Sequence, residues 1–136
     1  MSIAVSGAAL ACRCTEPSQQ AAYRLAYSVV HGKVLSATKE VGGDAMAYNV
    51  EIIESWKRPV QSQITIHTGT TCSFEAEVGA RYVLFLRQDR PAIYETAMCM
   101  GNRPENSSRD LLKFLRAKAS SDIRESPGTT QGNPSP

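Results

Sequence analysis

No run of apolar residues in this sequence approaches the roughly 20 that a membrane-spanning helix needs, so no membrane span is predicted and the mature protein should be soluble. Neither sign of charge dominates. Fifteen Lys and Arg against 13 Asp and Glu leave a formal net charge of +2, too small an excess to argue for a nucleic-acid or membrane-surface partner. A basic stripe interleaved with aromatics, the usual grip on single-stranded nucleic acid, is also missing. The 136 residues fit one small domain. Structural zinc held by four thiolates ordinarily uses two close pairs such as C-x2-C, and this chain has none. Only two histidines occur, His31 and His67, and nothing places a third, orienting group beside either to assist a cysteine nucleophile. Both sit on the outward side of alternating runs and read as solvated strand residues. The chain therefore reads as a non-enzyme with no cofactor and no intrinsic metal.

What the chain does have is four cysteines in an unusual arrangement. Cys12 and Cys14 form a Cys-Arg-Cys directly behind Ala9-Leu10-Ala11, while Cys72 and Cys99 lie far downstream as singles. Residues 3–11 are apolar or small throughout, and Ala-x-Ala is what a signal peptidase accepts. Residues 1–11 thus read as the end of a signal peptide or a flexible lead, and cleavage would make Cys12 the mature N-terminus. Export, to the periplasm or outside the cell, would let the thiols pair. A Cys12–Cys14 ring is too tight, which leaves two pairings, each tying one N-terminal cysteine to Cys72 and the other to Cys99. Ala9-Leu10-Ala11-Cys12 also approaches a lipobox, but lipidation would consume the Cys12 thiol and leave a downstream cysteine without its partner.

Between the ends the pattern is mostly of period two. Ala22, Leu25 and Ala26 are at helical spacing within residues 18–27, predicting a short helix that packs on one side of a sheet. Strands follow at 30–35, at 48–56, and around Ile64 and Ile66, with turns at Gly42-Gly43-Asp44 and Thr68-Gly69-Thr70-Thr71. The continuous apolar run 82–86 reads as a buried fourth strand and 93–99 as a fifth. A last helix has Ser107 or Ser108 as cap, Asp110 in its first turn and an apolar face of Leu111, Leu112, Phe114 and Leu115. Asn106-Ser107-Ser108 also matches a glycosylation sequon, but the capping role is the stronger reading. From Ser120 the composition turns to Ser, Pro, Gly, Thr and Gln, so 120–136 is predicted to be a disordered tail. The predicted fold is mainly β: a five-stranded OB-like barrel over 12–119 with a short N-terminal helix and a C-terminal helix.

Five pieces in order, Cys12-Arg13-Cys14, Glu54-Ser55-Trp56-Lys57, Thr68-Gly69-Thr70-Thr71-Cys72, Val78-Gly79-Ala80-Arg81-Tyr82 and Cys99, resemble the N-terminal domain of the tissue inhibitors of metalloproteinases and their netrin-like relatives, including bacterial ones. The resemblance runs from Cys12 to about Leu115. It implies the pairings Cys12–Cys72 and Cys14–Cys99. It also implies that the free α-amino and carbonyl groups of a mature Cys12 chelate the catalytic zinc of a protease at the position that zinc keeps open. An α-amino group, with a pKa of about 7.7–8.0, reaches its neutral, metal-binding form at little cost near neutral pH. Arg13, Cys14 and Thr15, together with Thr70, Thr71, Cys72 and Ser73, would form the protease-contact ridge. The implied partner is a zinc metalloprotease, met by a monomeric, secreted or periplasmic inhibitor.

This sequence departs from the pattern at Arg13, whose family counterpart enters an often apolar specificity pocket. Burying a guanidinium there without a partner would cost several kcal/mol. Residues 37–47 read as a short linker, leaving little of the long hairpin some animal inhibitors use, and the family's further C-terminal domain has no counterpart here. The alternative reading is a non-inhibitory netrin-like module that binds another exported protein.

Overall fold

The computed structural model describes residues 14–40, 45–69 and 72–125. The expectations placed on residues 1–13, on Gly42-Gly43-Asp44, on Thr70 and Thr71, and on 126–136 lie outside the described residues. The chain runs α1 (Gln19–Leu25), β1 (Ser28–Lys39), β2 (Met46–Trp56), β3 (Gln63–Thr68), β4 (Arg81–Arg90), β5 (Ile93–Glu95), β6 (Arg103–Pro104) and α2 (Arg109–Glu125), with a 3-10 turn at Glu105–Ser107. The first five strands pair in the order β1-β2-β3-β5-β4, and β4 returns to pair with β1. Closure makes a five-stranded mixed barrel in which only β3 and β5 run parallel. It is the OB-like barrel predicted from the alternation, and closure removes the free edges that would otherwise invite pairing with other chains.

Two apolar layers share the barrel wall. Val30, Val34, Val50, Ile64, Ile66, Leu84 and Leu86 point inward and fill the barrel with Tyr48, Tyr82 and Tyr94. Their neighbours Val29, Val83 and Phe85 point outward and are covered by α1 and α2 through Ala22, Tyr23, Ala26, Leu111 and Leu115, with Trp56. The unbroken run 82–86 follows directly from this, because a strand buried on both faces needs no polar alternation. Burying such side chains contributes roughly 1.5–3 kcal/mol each.

Local chemistry fixes the connections. Ser18 caps α1 by accepting the Ala21 N–H. At the other end Lys57, itself at φ +73°, donates its ammonium to the Tyr23 and Ala26 carbonyls at 2.8 and 2.5 Å. Buried Ser28 donates to the Arg58 carbonyl at 2.7 Å, holding the turn after β2 against the start of β1. Gly32 lies beside a bulge between β1 and β2, where a Cβ would sit 2.5 Å from Val50 Cγ1 and 2.9 Å from the Glu51 carbonyl oxygen. Only glycine permits that approach.

Several expectations are corrected. Leu25 is not on the buried face of α1 but 74% exposed; Tyr23 takes that place, edge-on to Phe114. Residues 37–39 and 46–47 are not linker but paired strand, with Lys39 opposite Met46, so the β1–β2 hairpin is longer than expected. The fifth strand ends at Glu95 rather than Cys99. The last helix continues past Ser120 to Glu125, into the stretch read as tail. Ser107 and Ser108 both turn their hydroxyls back to the Pro104 carbonyl, and Ser108 at φ −115°, ψ 15° closes the 3-10 turn instead of adopting the extended geometry of a side-chain cap. His31 faces outward yet is buried, because the turn after β6 lies over it and Glu105 meets its Nε2 at 2.7 Å. Its Nδ1 is buried without a hydrogen-bond partner.

Candidate functional site

The parallel pairing of β3 and β5 delivers both strand ends to the same end of the barrel, and the loops that follow them carry two of the four cysteines. After Thr68 the chain loops back so that the Phe74 N–H reaches Thr68 Oγ1 at 2.8 Å. After Glu95 the Thr96 N–H bonds the His67 carbonyl, extending the ladder by one step, and the Met98 N–H then bonds the Cys72 carbonyl at 2.9 Å. The two loops are thus tied directly to each other. Cys72 and Cys99 both take left-handed backbone, at φ +56° and +64°. Non-glycine residues hold such angles only where their surroundings over-determine them, and they gather at functional sites.

Cys14 joins this pair of loops through a disulfide to Cys99, with 6.2 Å between the α-carbons. Of the two pairings open from the cysteine positions, the bond is the one implied by the resemblance. Thr15 follows on the surface, beside a groove of 360 Å³ lined by Pro17, Ala22, Leu25, Ala26, Arg87, Cys99 and Met100. Met98 stands 43% exposed on the same loop. Cys14, Thr15, Cys72 and Ser73 are therefore gathered around one end of the barrel by a disulfide and a backbone bond. Cys12, Arg13, Thr70 and Thr71, and with them the Cys12–Cys72 pairing, lie outside the described residues.

The polar flank of the same end leaves no motif in the sequence. His67 Nδ1 and Glu40 Oε2 lie 2.5 Å apart, and Arg87 and Glu95 form a looser ion pair at 3.5 Å. Together with Thr68, Gly69 and Thr96 these side chains line a second pocket of 220 Å³. His67 is half-buried by its carboxylate neighbour rather than simply solvated. Period-two reading gives a strand residue's face but not what a distant hairpin brings to it, and Glu40 lies just past the end of β1. Between β2 and α2 Arg116 donates to Glu54 at 2.8 Å, and this hydrogen bond, with the charge second, raises the guanidinium pKa above its ordinary value. Among the described residues no three His, Cys, Asp or Glu side chains come together to hold a metal ion, and no helix is long and apolar enough to cross a membrane.

No protein-family model and no curated protein sequence matches the chain. The functional reading therefore stands on the geometry above and on the motifs.

Proposed function

We propose that the chain, once processed to begin at Cys12, is an exported inhibitor of zinc metalloproteases that fills the open zinc position with the α-amino and carbonyl groups of Cys12. The observation that carries this reading is the tethering of Cys14 to Cys99 in a loop already bonded to Cys72. A chelator two residues from a staple loses little ordering entropy on binding, which is the main cost such a contact has to meet. Thr15, Cys72 and Ser73 would flank the chelating residue as the protease-contact ridge, with Arg13, Thr70 and Thr71 completing it. The disulfide is compatible with a secreted or periplasmic protein, the compartments in which such bonds persist.

Arg13 favours a second reading, a non-inhibitory netrin-like module whose barrel is scaffold for another exported partner. Under the inhibitor reading the target must offer Arg13 an acidic or open specificity pocket. The two readings separate in one experiment: oxidised protein starting at Cys12 and the same protein with one additional N-terminal alanine are tested against a panel of zinc endopeptidases. The expected result is inhibition by the first form and its loss in the second, because acylation of the Cys12 nitrogen removes the metal-binding amine. Inhibition by neither form would discard the inhibitor reading in favour of the binding module.

A further inference from the structure

Along one edge of β4 the strand partners leave a gap. β6 pairs with Tyr82 and Val83, and β5 takes up pairing only at Arg87, so among the described residues Phe85 meets no strand on that edge. Two side chains fill the gap. Asn102 Oδ1 accepts the Phe85 N–H at 2.7 Å, and Thr96 Oγ1 donates to the Phe85 carbonyl at 2.9 Å. Asn102 Nδ2 in turn donates to Thr96 Oγ1 at 2.8 Å and to the Ala97 carbonyl at 3.1 Å. Only one orientation of the amide satisfies both the Phe85 N–H and the Ala97 carbonyl, so the network has a single solution. Thr96 is 2% exposed, and losing its hydroxyl would leave a buried carbonyl and an amide hydrogen unsatisfied. The clamp grips the 97–101 loop at both ends, and that loop holds Cys99 in its left-handed conformation and Met98 against the Cys72 carbonyl. On the neighbouring strand Thr68, also 2% exposed, accepts the Phe74 N–H with its own hydroxyl oxygen.

We propose that Thr96 and Asn102 are positioning residues that set the Cys99 side of the docking ridge, with Thr68, at the end of β3, as their counterpart beside Cys72. The functional half of this inference rests on the inhibitor reading. The clamp acts through Cys99: it fixes where the disulfide places Cys14.

The test uses Thr96→Val, which keeps the branched shape without the hydroxyl, Thr96→Ser, which keeps the hydroxyl, and Asn102→Asp, which keeps the acceptor and loses both donors. Ile66→Val, a trimming of the barrel core that leaves the hydrogen bonds of Thr96 and Asn102 in place, controls for a general loss of stability. Two readouts are taken on the oxidised chain: amide hydrogen exchange at Met98 and Phe85, and the inhibition constant against a zinc endopeptidase that the parent inhibits. Thr96→Val and Asn102→Asp should speed Met98 exchange about tenfold beyond that of Ile66→Val, since local opening needs only the clamp to release. Thr96→Val should weaken inhibition about tenfold, chiefly through faster dissociation, with Thr96→Ser restoring it. Met98 exchange no faster than in Ile66→Val would overturn the clamp. Faster exchange with undiminished inhibition would overturn its positioning role. If the parent inhibits no protease, the inhibitor reading falls, and the exchange readout alone decides whether Thr96 and Asn102 hold the loop.

Discussion

Gly101 is the residue on which the helix layer and the cysteine loop converge. Its φ is +104°, and a Cβ there would stand 2.8 Å from the Ala22 Cβ and 3.2 Å from the Phe85 ring. Left-handed backbone and a clash with a helix therefore act together against any side chain. Gly101→Ala is expected to cost about 2–4 kcal/mol, the sum of backbone strain and overpacking. Urea unfolding of the oxidised variant measures it, and a loss below about 1 kcal/mol would mean that α1 shifts outward at little expense. The neighbouring strained positions, Cys72 and Cys99, are different in kind. They carry side chains in left-handed backbone although glycine would fit with less strain, and at Cys99 the reason is visible in the bond to Cys14.

At the scale of elements, that bond ties the segment before α1 to the loop after β5 across 85 residues of sequence. In the chain-entropy account a loop of this length stabilises by roughly 4–5 kcal/mol, because the cross-link restricts the unfolded chain. The double variant Cys14→Ser/Cys99→Ser should lose most of that in urea unfolding beside the parent. A loss under about 1 kcal/mol would show that the unfolded chain is already restrained by residual structure. The elements differ in how far they could be read from the sequence. β2, β3 and β4 were legible because burial on one or both faces leaves a direct mark, alternation in Tyr48-Asn49-Val50 and continuity in 82–86. β5 is shorter than its sequence pattern suggests because Thr96 and Asn102 replace a strand by side-chain bonds to Phe85, which no periodicity encodes. The extension of α2 past Ser120 is not legible in composition, which there reads as solvent-loving, because helix length depends on continuation of a helix already anchored by Leu111 and Leu115. Of the site, the Cys14–Cys99 tie is one the cysteine positions leave open and only the family resemblance implies, whereas the His67–Glu40 contact and the burial of His31 depend on which distant segment covers each face.

For the whole molecule the question is whether the barrel interior and the helix-covered outer face are one cooperative unit or two. β1 and β4 contribute alternate residues to both layers: Val30 and Leu84 inside, Val29, Val83 and Phe85 outside. A strand cannot release one face while keeping its register on the other, so both layers should unfold together. The single tryptophan provides the means of checking, since Trp56 is 5% exposed and packs within the outer layer, so its fluorescence reports on that layer. Leu115→Ala removes a fully buried outer-layer side chain and Ile66→Ala an interior one, and each should cost about 2–5 kcal/mol. For both variants, urea transitions followed by Trp56 fluorescence and by far-ultraviolet circular dichroism should coincide, as a two-state domain requires. An earlier fluorescence transition in Leu115→Ala alone would assign the helix layer to a separate, weaker unit. The cysteine loop, packed through Gly101 against α1, would then loosen with that layer while the barrel stayed folded. Coincident transitions would instead tie the geometry of the ridge to the stability of the entire fold.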